Sequence, residues 1–180
     1  MKIAKQLKDT NICEYLLYMW QLEDTLRAYD CEADRLRSEY VDQFGYDETD
    51  KEAEAQWLEA LCRMMREENC LQRGHLQINR GTMTLLTDLH QTLLMSPRHP
   101  FYSAAYYRAL PFIVEVRSRS GHTDTPELEN CFEALYGTML LRLQKRTVTA
   151  DTAAAVTQIS HLLSLLADAW NKERQGELEV

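Results

Sequence analysis

A chain of 180 residues, 45% of them hydrophobic, is long enough to bury the core of one domain, since single domains mostly run about 50–250 residues. Its net charge of −8 comes from the first 60 residues, which hold 15 acidic against 7 basic side chains, while the remainder balances. An acidic face repels phosphate, which argues against sequence-independent binding of nucleic acid by the whole surface and leaves room only for a local basic patch.

No stretch approaches the roughly 18 uncharged apolar residues that a membrane span requires. The apolar run of the opening segment is broken by Glu14 and followed by no small-residue cleavage site. Five cysteines without a CxxC pair argue against a disulfide framework and a zinc knuckle. These features predict a cytoplasmic protein with buried free thiols and no membrane partner.

Strand signals are scarce, because Ile113–Val116 is the best β-branched run and is too short to support a sheet. The expected fold is all-α: a single-domain bundle of six to seven helices spanning 1–180, with flexible ends at 1–8 and 172–180. The first helix opens at Asn11 with Glu14 three residues on, a capping box, and runs to about Ala28. A second segment ends at Phe44 before Gly45. Thr49 or Asp50 is the expected cap of a third, whose inward stripe is Trp57, Leu58, Leu61, Met64 and Met65, with Gly74 as its stop.

A fourth helix covers about His75 to Met95, and Ser96 to Pro100 breaks the chain. The fifth, FYSAAYYRALPFIVEV, is apolar on nearly all sides, a pattern expected of a helix buried in the middle of a bundle. Pro111 should kink or divide it, because the ring removes a backbone donor and crowds the carbonyl of Tyr107. Thr125 as cap and Pro126 at the first helical position open a sixth, ending near Arg146. The seventh begins at Thr149 or Asp151 and carries Val156, Ile159, Leu163, Leu166 and Trp170 at alternating three- and four-residue steps.

One residue breaks the pattern of the first helix. At 100° per residue Tyr15, Leu16, Met19, Leu22 and Leu26 share a face, and Glu23 falls near its centre. A carboxylate there loses hydration and needs a donor or a cation. Arg27 is one turn on, and His90 shares the inward face of the fourth helix with Leu76, Met83 and Leu94. Glu23, Arg27 and His90 are therefore a candidate polar core cluster, expected to fix helix register before serving a ligand. Tyr15, Trp20 and Tyr106 are the aromatic side chains that would line a pocket around it.

Gly137 sits inside the sixth helix opposite the stripe of Leu128, Phe132, Leu135 and Met139. An exposed glycine there costs about 1 kcal/mol relative to alanine. With Ala134 and Leu141 it forms a candidate contact stripe for a neighbouring helix of the same chain or for a second copy.

No catalytic constellation emerges. Arg117 and His122 have the spacing of the arginine–histidine pair of HEPN ribonucleases, but the spacer is serine-rich and holds Gly121. No Glu-x-x-His or His-Glu-x-x-His motif suggests a metal, and no glycine-rich phosphate loop suggests a nucleotide. No cofactor is expected.

Taken together, NICEYLLYMWQLED (11–24), GHLQ (74–77), DLH (88–90), ALYGTMLLRLQKR (134–146) and ISHLLSLLADAW (159–170) resemble a family of small all-helical proteins from Bacteroidetes. This is the domain-of-unknown-function family 4924. The resemblance implies a cytoplasmic bacterial protein with one helical domain, and it assigns no activity, cofactor or catalytic residue. The function expected on these grounds is a non-enzymatic helical module acting through protein contact, as a homodimer or with another protein. The alternatives are a small-molecule binder or hydrolase built on Glu23, Arg27 and His90, and a ribonuclease using Arg117 and His122.

Overall fold

The computed structural model describes residues 1–120 and 126–179, without the side chains of Arg119 and Ser120. Helices α1 (Lys2–Thr10), α2 (Ile12–Ala28) and α3 (Ala33–Arg35) are followed by a π-helical turn (Leu36–Tyr40) and a 3-10 turn (Val41–Gln43). Then come α4 (Glu48–Glu67), α5 (Gln77–Met95), α6 (Pro100–Ser120), α7 (Glu127–Leu143) and α8 (Ala150–Gln175). Eight α-helices and no strand occur among the described residues, so the all-α reading stands and the helix number is higher than expected. The chain divides into two compact units, Met1–Thr82 and Met83–Val180.

In the first unit α1 is helical and buries Ala4. Its last turn takes the Asn11 N–H on the Leu7 carbonyl. The Asn11 side chain turns the other way and caps α2, accepting from the N–H groups of Cys13 and Glu14 at 3.1 Å each. One residue thus ends one helix and starts the next.

The cap of α4 is Asp47, whose Oδ1 accepts from Asp50 N–H at 2.8 Å, two residues before the earlier of the expected positions. The helix stops at Glu67, well short of Gly74, because Asn69 takes a left-handed φ of 57°. Leu16, Met19, Leu22 and Leu26 of α2 and Leu58, Leu61 and Met65 of α4 are buried.

In the second unit α6 runs unbroken through Pro111, which lies on the exposed side of the helix. Burial on all sides is not found: Tyr102, Ala105, Ala109 and Ile113 are buried, whereas Phe101, Tyr107 and Val114 are 83%, 68% and 56% exposed. Phe132 of α7 and Ile159, Leu162 and Leu166 of α8 are fully buried. Thr149 caps α8 by accepting from Thr152 N–H at 3.2 Å. Gly176, at φ 73°, ends that helix, which therefore continues into the expected flexible tail.

Candidate functional site

Glu23 is 1% exposed, and its two carboxylate oxygens receive three donors from the end of the connection between α4 and α5 and the first turn of α5. Leu76 N–H donates to Oε1 at 2.8 Å and Asn79 Nδ2 at 2.7 Å, while His75 Nδ1 lies 2.5 Å from Oε2. The His75 ring stacks on Trp20, with centroids 4.3 Å apart and planes 14° from parallel. Helix α5 begins at Gln77, so its first N–H groups lack carbonyl partners within the helix. A carboxylate from α2 supplies acceptor and negative charge at that positive end. Glu68 does the same for Gln77 N–H at 2.5 Å.

Arg27 serves the same connection through other partners. Its guanidinium pairs with Asp24 at 2.7 Å and donates to the carbonyls of Cys70, at 3.0 Å, and Gly74. Two residues one turn apart on α2 thus hold both ends of the 70–76 segment. Gly74 needs its left-handed φ of 82° to present its carbonyl there.

His90 belongs to the second unit, where Nδ1 is 2.6 Å from the Tyr102 hydroxyl. The ring meets Tyr102 and Tyr106 edge to face, and the Tyr106 hydroxyl donates to Glu127 at 2.8 Å. Burial lowers the His90 pKa from 6.5, partly countered by Glu127, and burial followed by the Glu127 hydrogen bond pushes Tyr106 up to about 12. Glu23, Arg27 and His90 therefore have separate sets of hydrogen-bond partners.

Sequence patterning missed His75 and Asn79, which act from a helix start that carries no periodicity. It also missed Glu54, although the signal was present: Glu54 lies three, four and seven residues before Trp57, Leu58 and Leu61 on the inward stripe of α4. Glu54 is 5% exposed and pairs with the amino group of Met1. Burial, followed by the field of Glu54 or of neighbouring tyrosines, raises the pKa values of Tyr18 and Tyr40, and the same field acts on Tyr46.

On α7, Ala134 lines a cavity of about 130 Å³ with Phe112 and Val116 of α6 and Ala155, Val156 and Ile159 of α8. Leu141 is half-buried. Gly137 is exposed, and a Cβ built on it meets nothing within 4 Å among the described residues. Arg117 is half-buried in the last turn of α6, and His122 lies outside the described residues. No group of three or more His, Cys, Asp or Glu side chains arranged to hold a metal occurs among the described residues.

The exposed face of α6 has a regular order. Ala104, Pro111 and Ser118 recur every seven residues along its centre. Tyr107 and Val114 form one edge, and Arg108 and Glu115 the other, each pair again seven apart.

These features define an all-helical protein with two compact helical units, an α2 clamp on the start of α5, and an open apolar face on α6. The chain belongs to the family described as a domain of unknown function, DUF4924, whose model matches residues 1–177. No curated protein and no solved structure matches it. No helix among the described residues is long and apolar enough to cross a membrane.

Proposed function

We propose that the protein is a non-enzymatic contact module that dimerises through α6. The observation that carries this reading is the exposure of Phe101, Tyr107 and Val114 on a helix whose sequence is apolar nearly all round. Such a helix is normally covered on every side. A heptad pattern with small residues at its centre allows two helices to approach closely, and a second copy of α6 has the required complementarity.

A two-fold axis beside Pro111, perpendicular to an antiparallel helix pair, places Arg108 of each copy opposite Glu115 of the other. The same axis brings Tyr107 to Val114 on the opposite edge. Self-complementarity of this kind is the mark of an isologous interface. The binding or hydrolytic alternative has less support, because both oxygens of Glu23 already serve donors of the chain itself. The buried thiols are consistent with a reducing cytoplasm.

Sedimentation equilibrium of the untagged chain tests the proposal. A dimer is expected, with Tyr107→Glu and Arg108→Glu monomeric and the double reversal Arg108→Glu, Glu115→Arg dimeric again. A wild-type monomer at concentrations on the order of 100 μM would limit any self-affinity to weaker than about −5.5 kcal/mol and overturn the reading. A dimer indifferent to all three variants would place the interface elsewhere.

A further inference from the structure

The two oxygens of Glu23 divide their work. Oε1 accepts from both buried donors, Leu76 N–H at 2.8 Å and Asn79 Nδ2 at 2.7 Å, and so carries the hold on the start of α5. Oε2 lies 2.5 Å from His75 Nδ1 and serves that ring alone among the described residues. The Glu23 side chain is 1% exposed, whereas that of His75 is 29% exposed. A carboxylate oxygen only accepts, so the proton of the neutral ring sits on Nδ1 and the lone pair on Nε2. Nε2 makes no hydrogen bond among the described residues and is not sealed from solvent. Stacking on the buried Trp20 fixes the plane of the ring.

We propose that Nε2 of His75 is a phosphoryl-acceptor site, modified by a donor of the phosphoramidate class, of the kind an N-phosphorylated imidazole presents. The proposal does not depend on self-association through α6. The carboxylate behind Nδ1 holds the tautomer and offsets the positive charge that the ring gains when Nε2 bonds to phosphorus. The stack on Trp20 removes the ring's freedom to turn, so the lone pair is oriented before the donor arrives. Arg73, two residues earlier, is exposed and makes no ion pair among the described residues, which leaves a cation on the same connection for phosphoryl oxygens. Phosphorus suits this setting because an acyl group on a solvent-reached imidazole is lost to water, while an N–P bond survives at neutral pH and breaks in acid.

In the transfer, the Nε2 lone pair attacks phosphorus, and the new N–P bond forms as the donor's P–N bond breaks. The electron pair of that bond leaves on the donor nitrogen, which already carries its proton. His75 keeps the proton on Nδ1, and the positive ring is paired with Glu23 Oε2. One N–P bond replaces another, so no further reactant is needed.

The test incubates the folded, full-length chain with potassium phosphoramidate at pH 8. Phosphohistidine is mapped by mass spectrometry under alkaline conditions, and phosphorus–proton NMR distinguishes Nε2 from Nδ1. His161 is the internal control, because it is exposed on α8 and would react first if access alone set the rate. The expected result is phosphorylation at His75 Nε2 about tenfold faster than at His161, with Glu23→Gln slowing His75 by about the same factor. His75→Gln should lose the fast site and keep the slow ones. A rate at His75 no greater than that at His161, or phosphorylation of His75 at Nδ1, would overturn the proposal. So would a folded Glu23→Gln chain as reactive at His75 as the wild type. The order of reaction within the wild-type chain decides the matter even if the variants do not fold.

Discussion

Replacing Glu23 by leucine tests whether the carboxylate exists to hold the start of α5. The substitution keeps the side-chain bulk and removes the acceptor. Leu76 N–H and Asn79 Nδ2, both in residues at most 1% exposed, then lose the acceptor described for them. Each buried donor left without a partner costs about 1–3 kcal/mol, so the loss is about 2–6 kcal/mol. His75 adds little, since its side chain is 29% exposed and water can reach it.

Against that loss stands the burial of leucine in place of a charge, about 1.5–3 kcal/mol. Taken at the middle of both ranges, the balance is a destabilisation of about 2 kcal/mol. Glu23→Gln keeps an acceptor for Leu76 and Asn79 and should cost less. Urea unfolding followed by circular dichroism gives both values, and hydrogen exchange at residues 76–80 should show the opening localised there. If Glu23→Leu equals or exceeds the wild type in stability with the same helix content, the clamp is not needed for the fold.

Gly137 and His90 give two further checks. Gly137→Ala should raise stability by about 0.5–1 kcal/mol, because the glycine lies in mid-helix with no described atom within 4 Å of the added methyl; a loss in urea midpoint would mean that the face is covered. His90 favours its neutral form in the fold, since burial lowers its pKa from 6.5 and its Nε2 has no hydrogen-bond partner among the described residues. The unfolded chain therefore binds the extra proton first as pH falls through 6.5, so the His90 contribution is full above that value and declines below it. Urea midpoints at pH 7.5 and pH 5.5 should differ more for the wild type than for His90→Phe, and equal differences would refute the assignment.

Much of the local structure is legible in the chain itself. Asn11 and Thr149 are caps because their short side chains reach backbone N–H groups two or three residues on, an interaction contained within a few residues. The inward faces of α2 and α8 follow from a 3.6-residue period, which requires no knowledge of neighbours. The buried position of Glu23 was readable for the same reason.

Its partners were not. His75, Leu76 and Asn79 lie more than 50 residues away, beyond a connection without periodicity, and only the packing of α2 against that connection makes them neighbours. Arg27 shows the same limit: a turn of helix placed it near Glu23, yet two carbonyls of the 70–76 segment and Asp24 take its guanidinium.

For α6 the sequence determined an apolar helix, and the tertiary structure decided which side of it is covered. Hydrophobicity is non-directional, so it sets how much surface leaves water. It does not choose the neighbour that buries that surface.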